Sequence, residues 1–232
     1  MTFILPKPLK GIPRPYVLVC EGIGDAGFLE ALLEHLKIDN CCIGCPSPET
    51  AGGQGVDKIP AYLKGIAVEA TRASSRIDGI AVIVDANGDP GKRFQDASVA
   101  LRNAMFPSPA DAFTVVPGPP RSGVFVIPGK GKNGTLDDLL LEATFKKSPM
   151  LRECVDKFSD CTKTLAATTD NQKAKMRLSA LAGIYCKDNP WTSPRLLWKS
   201  TCNPVPIDSD SFAELTAFLT TLTTQSLTLA NP

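Results

Sequence analysis

The feature that most limits how this chain can fold is a pair of short apolar runs, each of which ends in acid. Tyr16-Val17-Leu18-Val19-Cys20 leads directly into Glu21-Gly22-Ile23-Gly24-Asp25, and Gly79-Ile80-Ala81-Val82-Ile83-Val84 leads into Asp85-Ala86-Asn87-Gly88-Asp89. Continuous aliphatic runs without polar alternation are expected of parallel strands covered on both faces. After each run a glycine-bearing turn gives way to helical spacing, with Phe28, Leu29, Leu32, Leu33 and Leu36 after the first and Phe94, Ala97, Leu101 and Ala104 after the second. In open parallel α/β sheets the carboxyl ends of the strands border the ligand crevice. Glu21 and Asp85 are therefore expected to meet there, and two such carboxylates attract a divalent cation.

The remaining pattern extends this reading. Asn40 to Cys45 predicts a short strand stopped by Pro46, Val56 to about Arg72 a helix, Phe113 to Val116 an edge strand, and Gly123 to Pro128 a clear strand. Helices are predicted from Met150 to Phe158, from Asp170 to Tyr185, and from a Ser211/Glu214 capping box onward. Residues 1–14 read as an irregular lead-in and Asn189 to Pro206, which holds both tryptophans, as irregular chain over the core, with fraying beyond Thr223. The order predicts an α/β fold: a mostly parallel, Rossmann-like sheet with helices on both faces, residues 1–145, and a C-terminal helical extension packing on it, residues 146–232.

The charge balance, 25 basic against 24 acidic residues and a net +1, supplies no global field for nucleic acid. Any such contact must come from a local basic patch, weak or conditional. The apolar run at residues 1–8 is too short for a secretory signal and no later stretch is long enough to span a bilayer, so a cytoplasmic protein without membrane contact is expected. The eight cysteines are then expected as free thiols. Cys41-Cys42-Ile43-Gly44-Cys45 reads either as half of a zinc site or as small buried hydrophobes, and the single histidine, His35, falls at a helix edge.

Basic side chains lie near the acids. Lys92 and Arg93 follow Asp89, either as solvated charges or as phosphate contacts. Gly129-Lys130-Gly131-Lys132-Asn133-Gly134 is a basic loop in which glycines allow close backbone approach, so Lys130 and Lys132 are the strongest local phosphate candidates, a solvated loop being the alternative. Gly52-Gly53-Gln54-Gly55 reads as a flexible turn or as a phosphate cradle. Thr135 and Asp138 form a capping-box pattern, which leaves Asp137 as the carboxylate freer to face the crevice or to complement the helix dipole.

A strand ending in Glu21-Gly22 and a later one ending in Asp85-Ala86-Asn87 resembles the Toprim domains of topoisomerases, primases and OLD-type nucleases. The closer likeness is to small stand-alone bacterial Toprim-like proteins, with Asp25 shortly after Glu-Gly and Gly134-Thr135-Leu136-Asp137-Asp138-Leu139-Leu140 further on. The resemblance implies a Toprim-like core holding Mg²⁺ or Mn²⁺ through Glu21, Asp85 and Asp137. Asn87 stands where the motif has its second aspartate, with Asp89 as the substitute. It further implies Glu21 as ligand or general base, Gly22 and Asp25 beside the substrate with Lys92 and Arg93, and a lysine from Lys130, Lys132 or Lys173 at the phosphate, the spacing leaving open whether Lys173 or Lys175 is the one that reaches the site. The activity implied is a nuclease or phosphotransfer-type enzyme acting on nucleic-acid phosphodiesters in genome maintenance or phage defence, with a partner ATPase and a homodimer as expected associations. The alternative is a noncatalytic Toprim-like module that binds a nucleotide or a partner ATPase.

Overall fold

The computed structural model describes residues 3–5, 11–72, 76–162, 169–187, 197–198 and 202–224. In chain order the elements are β1 (Phe3–Ile4), β2 (Tyr16–Val19), α1 (Ile23–His35), β3 (Cys41–Gly44), α2 (Pro48–Ala51), α3 (Ile59–Ala70), β4 (Gly79–Asp85), α4 (Pro90–Asn103), β5 (Val115–Val116), β6 (Arg121–Ile127), α5 (Leu136–Lys147), α6 (Pro149–Thr162), α7 (Asp170–Tyr185) and α8 (Ala213–Thr223). The sheet has six strands in the order β1-β3-β2-β4-β6-β5, parallel throughout except for the antiparallel edge strand β5. This is the expected α/β class.

Both faces of the sheet are covered, which is why β2, and β4 up to its terminal Asp85, carry no polar alternation. Leu18, Ile43, Ala81, Ile83, Phe125 and Ile127 face one layer, formed by α1, α5, α7 and α8 through residues such as Phe28, Leu140, Leu181 and Phe218. Val17, Cys42, Ile80, Val82, Val84 and Val126 face the other, formed by α3 and α4 through Tyr62, Ile66, Ala97 and Leu101. Strict alternation along each strand assigns successive residues to opposite layers. Cys41 and Cys42 thus belong to different layers, each as a small buried side chain.

The connections create a switch point. From β2 the chain passes through α1 to β3 on one side, then crosses through α3 to β4 on the other side of β2. At such a reversal the helices leave opposite faces and a crevice opens beyond the carboxyl ends of the two strands. Glu21 and Asp85 stand at those ends.

Three readings of the sequence are corrected. Residues 3–4 form a strand, β1, rather than irregular chain, because they pair in parallel with Cys42 and Ile43 and Leu5 N–H donates to the Ile43 carbonyl. Two residues are too short to show a period, and only the edge of β3 sets their register. Cys186, just past α7, is joined by a disulfide to Cys202, against the expectation of free thiols throughout, because both pack against the same core layer. Glu214 does not close a capping box with Ser211. A short 3₁₀ turn, Asp210–Phe212, capped by Ser209, precedes α8, and the Glu214 carboxylate accepts from Lys130 N–H at 2.8 Å. The Thr-rich connection 163–168, most of 189–201 and the tail beyond 224 lie outside the described residues. Among the described residues no helix is long and apolar enough to cross a membrane.

Phe125 sits at the centre of the larger layer, 1% exposed, edge-on to Phe113 at 5.0 Å and tilted against Phe218 at 5.4 Å. Truncation leaves a cavity that neither ring can fill without moving its own backbone. Phe125→Ala is expected to lower stability by about 3–5 kcal/mol in urea denaturation, with little change in the slope.

Candidate functional site

β2 ends at Val19, and Cys20, Glu21 and Gly22 carry the chain into α1. Gly22 is the helix N-cap, and its own N–H is accepted by Asp25 Oδ2 at 2.9 Å, so Asp25 is held in the first turn of α1. Glu21 Oε1 reaches across to accept Asp85 N–H at 2.9 Å. Asp85 Oδ1 in turn accepts Leu136 N–H, the first amide of α5, at 2.8 Å. The carboxylate of the β4 end therefore occupies the positive end of a helix, where a free amide and the dipole both favour an anion.

On α5 the neighbouring acids divide. Asp138 Oδ2 accepts from Thr135 N–H and Oγ1–H at 2.8 and 2.9 Å and closes the capping box. Asp137 turns toward the crevice. There it joins Glu21, Asp25 and Asp85 around a cleft of about 420 Å³ whose other walls are Gly22, Gln54, Gly55, Leu136, Leu140, Lys175 and Trp198. The glycine loop thus borders the site. Gly55 needs its positive φ of 103° there, and its N–H is already taken by the Glu21 carbonyl at 3.2 Å.

Four acids in one partly dry cleft repel one another and lose hydration, and both effects oppose ionisation. Burial, followed by the charge of Glu21, lifts the Asp25 carboxyl to about 6. Burial, then the charges of Asp25 and Glu21, raises Asp85 well above the ordinary carboxylate range. Burial raises Glu21 as well, but the Asp85 amide, Arg93 and Lys175 pull it back. Lys175 opposes the burial of Asp137 in the same way. Lys175 is the cation common to all three of Glu21, Asp25 and Asp137.

The other candidates lie apart from the cleft. Asn87 adopts a left-handed backbone, φ 47°, which asparagine tolerates better than most residues, and its Oδ1 accepts from the Asn171 amide of α7. Asp89 caps α4 by accepting Lys92 N–H at 2.9 Å. The Lys92 ammonium pairs with Asp96 at 2.6 Å, whereas the charge of Arg93 reaches Glu21. Lys132 pairs with Glu142 at 3.2 Å, Lys130 is exposed, and Lys173 pairs with Asp170 at 2.9 Å. None of these lines the cleft.

The family whose description is "Protein of unknown function (DUF3226)" matches residues 15–223, which include every element from β2 to α8. The chain belongs to the DUF3226 family. No curated protein and no solved structure gives a significant match.

Two cleft residues of this DUF3226 protein escape a reading of the sequence. Lys173 and Lys175 are two positions apart on α7, about 200° around the helix, so only one can face the sheet. Lys175 shares a stripe with the buried Leu178 and Ala182, three and seven positions on, and that spacing is the signal that selects it. Trp198 is distant in sequence from the rest of the cleft and no local pattern announces it. The arrangement can hold a cation or a cationic group among hard oxygen donors, with one lysine left to meet an anion.

The raised Asp25 has a consequence for stability. Its folded carboxyl, at about 6, lies above the unfolded value near 3.9, so the folded state holds the extra proton between them. That contribution is complete below about pH 4 and is lost as pH rises through about 6. Asp25→Asn keeps an acceptor for Gly22 N–H and removes the charge. In EDTA it is expected to stabilise the protein by about 2–3 kcal/mol at pH 7.5 and to have little effect at pH 4, read as the difference in Tm between the two proteins across that range.

Proposed function

We propose that this protein is a Toprim-like, Mg²⁺- or Mn²⁺-dependent enzyme acting on nucleic-acid phosphodiesters, a cytoplasmic nuclease or phosphotransfer-type enzyme that works beside a partner ATPase. The observation that carries the proposal is the joining of Glu21, Asp25, Asp85 and Asp137, from two strand ends and two helix starts, in one cleft at the switch point with Lys175 on its wall.

The donor set suits a hard divalent cation, being all carboxylate with no nitrogen or sulfur ligand among the acids. Glu21, Asp25 and Asp85 each give one oxygen to a backbone N–H, and the second oxygen of each has no hydrogen-bond partner among the described residues. Among those residues no group of three or more His, Cys, Asp or Glu side chains is arranged to enclose an ion as it stands. Ligation therefore requires rotation of the free carboxylate oxygens toward one another, which raises their repulsion until a bound cation offsets it. Glu21, Asp85 and Asp137 would hold the ion. Bound there, it would supply a nucleophilic water at neutral pH and charge to steady the oxygen that leaves. The one free oxygen of Glu21 would serve the ion, and Lys175 would bind a non-bridging phosphate oxygen.

A second reading, a noncatalytic module that binds a nucleotide or a partner ATPase, is favoured by one observation. Asn87 puts a neutral side chain where the motif has acid, and that side chain is engaged by Asn171 rather than by the cleft. Calorimetry with Mg²⁺ and Mn²⁺ on the wild type and on Glu21→Gln, followed by nicking of supercoiled plasmid, separates the two. The enzyme reading expects binding that weakens at least tenfold in the variant, together with metal-dependent nicking. Equal heats in both proteins and intact plasmid would sink it in favour of the module.

A further inference from the structure

The cleft has two chemically different ends. Glu21, Asp25, Asp85, Asp137 and Lys175 make the charged one. Ile23, Leu136, Leu140 and Trp198 make the other, apolar and walled by an indole. Trp198 is backed by Phe28, ring centroids 5.3 Å apart, and Phe28 in turn by Phe212 at 5.1 Å, so the indole rests on a cluster of tilted, buried rings that fixes its place. Its Nε1–H is buried and has no acceptor among the described residues. An unpaired indole donor on a residue that lines the cleft is a hydrogen-bonding valence the protein itself leaves open. Nothing in the phosphate chemistry of the charged end uses either feature.

We infer that Trp198, with Ile23, Leu136 and Leu140, forms a subsite for one unstacked nucleobase of a single-stranded nucleic acid. This rests on the phosphodiester reading of the charged end. Two arguments lead to it. A volume of about 420 Å³ is at the small end of pockets that enclose one ligand of nucleotide size, so the cleft takes one residue of a strand and not a duplex. A base can also reach a recessed aromatic wall only after leaving its stack, which costs least in single strands, loops and frayed ends. Every base has a flat face for the indole, so the subsite tolerates sequence. Trp198 is then a specificity-determining residue, selecting single-stranded over duplex substrate.

The sequence contains two tryptophans, so Trp191→Phe leaves Trp198 as the sole indole reporter in the otherwise intact chain. Its fluorescence is titrated with thymidine monophosphate and with inorganic phosphate, each with and without Mg²⁺. The expected result is saturable quenching by the nucleotide and none by phosphate. In parallel, cleavage of a single-stranded oligonucleotide by Trp198→Ala is expected to show KM raised about tenfold with kcat changed far less, and Trp198→Phe is expected to restore most of the loss. Indistinguishable responses to nucleotide and phosphate, or wild-type KM in Trp198→Ala, would overturn the subsite even where plasmid and oligonucleotide are cleaved. Quenching by the nucleotide without cleavage under any metal would support the subsite and overturn the catalytic reading instead.

Discussion

The site depends on a relay of hydrogen bonds in which each carboxylate accepts the amide of the next element. Glu21 takes Asp85 N–H, and Asp85 takes Leu136 N–H. Three elements distant in sequence are thereby fastened at one point: the end of β2, the end of β4 and the start of α5. Each bond joins an anion to a backbone donor that its neighbours cannot otherwise satisfy, which makes it stronger than a neutral pair. A change at any member is therefore felt at the other two, and the position of Asp137 follows from that of Leu136 beside it.

The same arrangement stores electrostatic tension. The fold keeps four acids close and half dry, with Lys175 and Arg93 as the main compensating charges. A protein optimised only for stability would have replaced some of these carboxylates with amides or apolar groups, because a buried anion without a matched partner costs more than it returns. Their meeting at a topological switch point is the pattern expected of a candidate functional site.

Much of the architecture is legible in the sequence because the central strands are covered on both sides and advertise it. The aliphatic runs of β2 and β4 admit few other readings, and their acidic ends fall at the crevice by topology alone. Placing Asp137 toward the cleft and Asp138 in the cap also follows from a local rule, the three-residue spacing between Thr135 and the acid that serves it. What the sequence conceals is set by long-range contacts. β1 is two residues long and owes its existence to the free edge of β3. Lys175 can be told from Lys173 only once the buried stripe of α7 is known. Trp198 reaches the cleft because the core layer of Phe28 and Phe212 draws it there, and the pairing of Cys186 with Cys202 leaves no trace in their spacing.

That disulfide bears on the cleft although neither of its cysteines lines it. The two cysteines are 16 residues apart, and Trp198 lies in the segment between them. One end of that segment is anchored to α7, the helix that supplies Lys175, and the other returns to the core just ahead of α8. The indole that walls the apolar end of the cleft thus belongs to a segment tied together at its two ends. The indole lies four residues from Cys202 and twelve from Cys186, so the oxidation state of a single thiol pair sets how far it can stray from α7.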